Sequence, residues 1–243
     1  MTFIQHIVEP DRLLLSWQPP GGPDRGRHIV AELRREGDDA DLVYLSECPD
    51  YQDACAKGFT GYPGLPLNNM HKQVVPIFLR RLPPRQRQDF HRFLDAIRIP
   101  PGTNLSDFAL LGYAGAKLPS DDFVLIHPFD QAEPPFEFLL LIAGYRYYQE
   151  AIPYVVLKPG MTAEFEMEPE NPRDPSAIRI FFPELSRQTA GYICRGLLPQ
   201  FRRWMAEGWV IKSWVERLNG STEHPLVYLY VQVISAGTGN SRV

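Results

Sequence analysis

The sequence predicts an α+β chain in two parts: a front half of mixed short strands and helices, and a rear half closing as a small barrel-like sheet with one or two helices. Three observations predict it. Apolar residues recur at helical spacing twice, at Phe90, Phe93, Leu94 and Ile97 and again at Phe201, Trp204 and Met205. Strand-length runs bounded by Gly, Pro and Asn fill much of the rest, and they dominate beyond residue 136. Between the halves, Asp130–Pro135 holds two acidic residues, two prolines and no signal for regular structure, so the domains are expected at 1–133 and 134–243.

Taken in order, Leu13–Trp17 is a short apolar strand ended by the turn Pro19–Gly22. Ile29–Arg34 and Asp41–Leu45 read as strands joined across the acidic loop Glu36–Asp39. Gly58–Asn69, with Gly58, Gly61, Pro63, Gly64 and Pro66, reads as an extended loop. A helix is expected over Lys72–Arg81 despite Pro76. A second begins at Pro84, a good first-turn residue, and is stopped by Pro100, Pro101 and Gly102. Asn104 or Ser106 can cap a third short helix through Leu111, and strand Phe123–His127 ends at Pro128.

In the rear half, Phe136–Ala143 is apolar and Gly144 opens a turn. Tyr154–Leu157 leads into the tight turn Lys158–Gly160, and Thr162–Met167 alternates so that Glu164 and Glu166 share its wet face. Glu168–Ser176 is then ruled by prolines at 169, 172 and 175, which fix φ three times and remove three amide donors. That makes a stiff polar loop delivering strand Ala177–Phe182, with Asn171 and Asp174 able to bond their own backbone or to face outward. Thr189–Ile193 contains Gly191, Leu197–Glu207 is helical, and Trp209–Leu218 and Pro225–Val233 close the sheet around Asn219 and Gly220. Residues 235–243 read as a frayed tail.

Composition narrows the function. The net charge is -4; residues 1–135 hold 14 Lys/Arg against 18 Asp/Glu, and residues 136–243 hold 11 against 11. Neither half is the basic body of a protein that coats long nucleic acid, so any such contact is local, to a pocket, an end or a short strand. No stretch approaches the roughly 20 apolar residues of a membrane span, and nothing at the start reads as an export signal. Cys48, Cys55 and Cys194 have no metal-ligand spacing and cannot all pair, so a reducing cytoplasm is the expected location. The six histidines are scattered, and no nucleophile has a recognisable base and orienter, so neither a metal, a cofactor nor an enzymatic activity is expected. The arginine run Arg80, Arg81, Arg85, Arg87, Arg92 and Arg98, diluted by Asp89 and Asp95, reads as a solvated helix face.

The richest cluster is Gly144–Tyr148. Arg146 offers a planar fork of donors suited to phosphate. If the chain is extended there, Tyr147 and Tyr148 point to opposite sides, one packing while the other stacks on a base. Two tyrosines on a strand also suit plain rim packing, and Glu164, Glu166, Glu168 and Glu170 make a negative neighbourhood that Arg173, Arg179 and Arg195 can offset.

Arg146, Tyr147 and Tyr148, then Glu168–Ile180, then Gly191, Tyr192 and Ile193, in that order and spacing, resemble the HIRAN domain, found beside Snf2-type helicases and as a stand-alone bacterial module. The likeness spans about residues 136–233 and implies a compact OB-like β-barrel that binds the free 3′ end of single-stranded DNA. By that resemblance Arg146 and Tyr147 contact backbone or base with Tyr148 beside them, Asn171 and Asp174 shape the end pocket, Asp174 accepts from the terminal hydroxyl, and Tyr192 lines the same pocket, with Arg195 close by. Ala31–Leu33, Tyr44, Leu45, the Pro66 loop, Arg80–Pro83 and Asp107–Ala116 more diffusely resemble the N-terminal subdomain of HipA-type toxin kinases. That implies a non-catalytic module docking a kinase-like or repressor-like protein partner. The second functional reading is accordingly an accessory component of a toxin–antitoxin system without nucleic-acid binding.

Overall fold

The computed structural model describes residues 2–21, 26–67, 70–118 and 121–236. The chain divides into two compact units, a front unit of Val8–Gln131 and a rear unit of Met1–Ile7 with Ala132–Val243. The N-terminal segment thus differs from its expected place in the front domain. The reason is chemical: Ile4 is fully buried, the amides of Gln5 and His6 donate to Glu137 at 3.1 and 3.0 Å, and the Tyr230 hydroxyl donates to the Phe3 carbonyl at 3.0 Å.

In the front unit, β1 (Arg12–Trp17), β2 (His28–Glu36), β3 (Asp39–Tyr44) and β4 (Phe123–Ile126) form an antiparallel sheet in the order β3-β2-β1-β4. β1 lies inside that sheet, and five of its six residues are buried. Among the described residues four helices accompany it: α1 (Pro49–Ala56), α2 (Val75–Leu79), α3 (Phe90–Ala96) and α4 (Asp107–Ala114). Only Ala54 of α1 is buried, so no apolar stripe marks it in the sequence. Pro76 does not interrupt α2 but stands in its first turn, where its missing N–H costs nothing. α3 begins at Phe90 rather than at Pro84. The Ser106 hydroxyl caps α4, accepting from the Ala109 amide at 3.0 Å, and the helix runs three residues past Leu111 to Ala114. Of the loops expected here, Gly22, Asn68 and Asn69 lie outside the described residues.

The rear unit contains β5 (Phe136–Leu141), β6 (Glu164–Met167), β7 (Ile178–Phe182), β8 (Ser186–Tyr192), α5 (Leu198–Ala206), β9 (Val210–Gly220) and β10 (Pro225–Ile234). The expected barrel is not one closed ladder. The strands form two antiparallel sheets, β5-β10-β9 and β6-β7-β8. The two sheets are joined beside the named strands, by the bridges of Thr162 with Trp214 and of Ala143 with Tyr192, and by backbone hydrogen bonds of Gly160, Met161 and Ala163 with Val215 and Ser213 of β9. β6 has four residues against the eleven of β9, too short to continue the ladder along its neighbour. α5 buries Phe201 and Trp204 completely, while Met205 stays partly exposed. Those rings meet Phe136, Phe138 and Phe165 at centroid separations of 5.0 to 6.2 Å, forming an aromatic core. Of the tail, residues 237–243 lie outside the described residues.

Candidate nucleic-acid interface

The candidate residues of the rear unit sit on the turn after β5, the loop joining β6 to β7, and the end of β8. Gly144 has φ +74°, a left-handed conformation that side chains disfavour, and it opens one 3-10 turn over Tyr145–Tyr147. That turn replaces the extended strand that would set Tyr147 and Tyr148 on opposite faces. Tyr145 anchors it from inside: the residue is buried, and its hydroxyl donates to the Ile152 carbonyl at 2.7 Å. Arg146 and Tyr147 are both exposed as a result. The Arg146 guanidinium lies 4.6 Å from the Tyr147 ring centroid and donates to its hydroxyl, and Tyr147 is 62% exposed.

The proline-ruled loop is held by its own side chains. The Glu168 amide donates to the Ala177 carbonyl at 2.9 Å, closing the loop at its base. Asn171 Oδ1 accepts from the amides of Arg173 and Asp174 at 3.0 and 3.2 Å, and Asp174 Oδ1 accepts from Ser176 at 2.8 Å. These are local side-chain turns that stiffen the chain where proline has removed backbone donors. Asn171 Nδ2 donates to Glu168 Oε2 at 2.6 Å and to the Tyr192 hydroxyl at 3.1 Å. The Tyr192 hydroxyl in turn donates to the same Glu168 oxygen at 2.8 Å. Asn171 therefore has both donors and its acceptor engaged inside the loop, which makes it a shaping residue. Tyr148 packs edge-on against Tyr192 with centroids 5.8 Å apart. Burial, the neighbouring Tyr148 and the Glu168 carboxylate all push the Tyr192 phenol pKa upward, keeping it a proton donor. Asp174 Oδ2 and Arg195 Nε stand 3.8 Å apart, a loose ion pair with both side chains part-exposed.

Gly191 makes this assembly possible. At φ +149°, a Cβ there would lie 2.4 Å from Ile142 Cγ2 and 2.6 Å from the Ala143 carbonyl oxygen. Only glycine lets β8 approach closely enough for Ala143 and Tyr192 to exchange backbone hydrogen bonds, both 2.9 Å. The acidic neighbourhood is also partly neutralised. Glu166 pairs directly across the strands with Arg179, whose guanidinium donates to it, and Arg187 adds a second bond at 3.2 Å. The Arg179 hydrogen bond holds the Glu166 carboxyl below its ordinary pKa. Glu168 is occupied by Tyr192 and Asn171, leaving Glu164 and Glu170 as exposed carboxylates.

The structure thus brings Tyr148, Asn171 and Tyr192 into one contact network, joins Asp174 to it through Asn171, and sets Arg195 against Asp174. Arg146 and Tyr147 pair with each other on the turn that carries Tyr148. The hub is Glu168, a residue that sequence reading assigns only to the acidic background. Its three-residue spacing to Asn171 across a proline turn is the signal that points to it.

No protein-family model matches the chain, and no curated protein matches it. Among solved structures it is similar to the crystal structure of the HIRAN domain of human HLTF, at 18% identity over 42% of this chain and 77% of that one, with a TM-score of 0.34. A TM-score that low establishes neither a shared fold nor a shared ligand. Among the described residues, no group of three or more His, Cys, Asp or Glu side chains is placed to hold a metal ion, and no helix is long and apolar enough to cross a membrane. Among the described residues no disulfide joins Cys48, Cys55 and Cys194.

Proposed function

We propose that the rear unit is a non-catalytic module that binds single-stranded DNA at its 3′ end. The observation that carries this reading is the outward-facing Arg146–Tyr147 pair on the turn that also packs Tyr148 against Tyr192. An exposed ring offers a base a stacking face, and a guanidinium beside it meets the phosphate of the same nucleotide. The Asp174–Arg195 pair supports an end-reading role, because a carboxylate that accepts from a terminal hydroxyl then sits beside a donor for the adjacent phosphate. Rigidity supports it as well: the Glu168–Asn171–Tyr192 network holds the loop before ligand arrives, which lowers the ordering cost of binding. Two short sheets meeting at both edges are in keeping with an OB-like outline.

Fluorescence anisotropy with a labelled single-stranded oligonucleotide tests the reading. Arg146→Ala and Tyr147→Ala each weaken binding about tenfold, in line with the ~1–3 kcal/mol measured for base stacking. Both residues are exposed, so the fold survives the changes. Unaltered affinity in both variants contradicts the proposal.

A further inference from the structure

The front unit holds a second concentration of positive charge that the DNA-end reading does not use. Arg80, Arg81, Arg87 and Arg92 converge on a cavity of about 510 Å³, together with Leu82, Pro83, Pro84, Phe93 and a single carboxylate, Asp89. The arginines are not equivalent. Arg81 is buried and saturated: its guanidinium donates to Asp121, to the Ala116 and Phe123 carbonyls and to the Tyr62 hydroxyl. Arg87 is held by Asp89 through two bonds of 2.8 Å, which also consumes the one negative group in the lining. Nearby Arg85, outside the lining, pairs with Asp107 and the Leu105 carbonyl. Arg80 and Arg92 are exposed, and neither guanidinium makes a hydrogen bond or a close ion pair with a described residue, although, after the Arg87 hydrogen bond, Arg92 also lies near enough to Asp89 to lower its pKa. Two exposed guanidiniums with no hydrogen-bonded carboxylate among the described residues therefore line one concave surface that also carries the apolar Leu82, Pro83, Pro84 and Phe93.

We propose that this cavity binds a nucleoside phosphate. Guanidinium forks match phosphate oxygens in both charge and geometry, and the volume falls in the range of about 300–1,000 Å³ that small-molecule sites occupy. The apolar wall of Leu82, Pro83 and half-buried Phe93 selects among anions. It suits a ligand whose phosphate is joined to a flat, weakly polar ring, and gives nothing to inorganic phosphate or to a bare carboxylate. The ligand is either a free nucleotide or one nucleotide of a strand. This site is in a different unit from Arg146 and Tyr147, so it does not depend on the DNA-end reading.

Titration calorimetry of the full chain with thymidine 5′-monophosphate, thymidine and a short oligothymidylate tests it, using Arg80→Ala, Arg92→Ala, their combination, and Arg146→Ala. Each single front-unit change weakens binding of the phosphate-bearing ligand about tenfold, and thymidine binds at least about tenfold more weakly than its monophosphate. The Arg80→Lys, Arg92→Lys pair keeps the charge, loses the fork and recovers part of the affinity. Loss of monophosphate binding in the double alanine variant assigns the free nucleotide; loss confined to the oligonucleotide assigns a nucleotide within a strand. Three results overturn the proposal: no binding of either phosphate ligand, equal binding of thymidine and its monophosphate, or wild-type binding by the double variant. Arg146→Ala leaves monophosphate binding intact, so failure of the DNA-end reading registers separately.

Discussion

Glu168 and Gly191 show how single residues set the rear unit's surface. Glu168 converts two polar side chains that face a ligand in the sequence reading into members of one network, since Tyr192 and Asn171 both donate to the same oxygen. The candidate site was legible as a set of residue types, because proline, asparagine and aspartate at close spacing have few conformational options. Its wiring was not legible. Which acceptor Tyr192 finds depends on β8 lying against Ala143, a contact between residues distant in sequence. Gly191 is the test of that contact. Gly191→Ala forces a Cβ into Ile142 and the Ala143 carbonyl, so it destabilises the rear unit by about 2–4 kcal/mol, and with it the proposed DNA binding. Urea unfolding of the variant measures the loss, and stability within about 0.5 kcal/mol of wild type refutes the close-approach account.

At the scale of elements, alternation and apolar runs located most strand cores among the described residues, but β8 begins at Ser186, three residues before the segment singled out, because its sequence has no apolar run. Helices without a buried stripe escaped, as α1 did with only Ala54 buried. Prolines were misread in a consistent way: Pro76 starts α2, and Pro84 precedes the helix it was expected to open. The arginine run reads as a solvated face, yet Arg81 and Arg98 are buried. Sequence spacing does not show that Asp121, forty residues from Arg81, supplies the partner. The segment after β4 carries a pH response. His127 is 4% exposed, stacks on Phe129 at 3.8 Å, offers Nε2 to the Val8 carbonyl and accepts the Phe129 amide at Nδ1. A ring in that arrangement must be neutral, and burial pushes its pKa down to about 4 from 6.5. The unfolded chain therefore binds the extra proton first as pH falls below about 6.5, and front-unit stability declines from there until the folded pKa near 4 is passed. The full loss is about 3 kcal/mol at most. Hydrogen exchange of the β1 and β4 amides between pH 7 and 4 reads it, and His127→Gln flattens the profile. An unchanged slope in that variant assigns the pH dependence elsewhere.

On the scale of the whole molecule, the chain's first residues belong with its last hundred. Prolines and acidic residues suggest a boundary near residue 133, whereas nothing in Phe3–Ile7 names Glu137 as the partner of that segment. Glu137 is 1% exposed and accepts from the Gln5 and His6 amides and from Gln232, bonds that hold its pKa low although burial alone would raise it. Deleting residues 2–7 leaves that carboxylate buried without its main donors and removes the buried Ile4. The rear unit then loses at least about 3 kcal/mol, measured by urea unfolding. A loss below about 1 kcal/mol contradicts the grouping of this segment with the rear unit. The central claim is recognition of a DNA end, and it is tested most directly by fluorescence anisotropy with one single-stranded sequence carrying either a free 3′ hydroxyl or a 3′ phosphate. Recognition by Asp174 predicts that the phosphorylated end binds at least about tenfold more weakly, through lost hydrogen bonding and like-charge repulsion, and that Asp174→Ala removes the difference. Equal affinity for the two ends, or no binding at moderate salt, contradicts it.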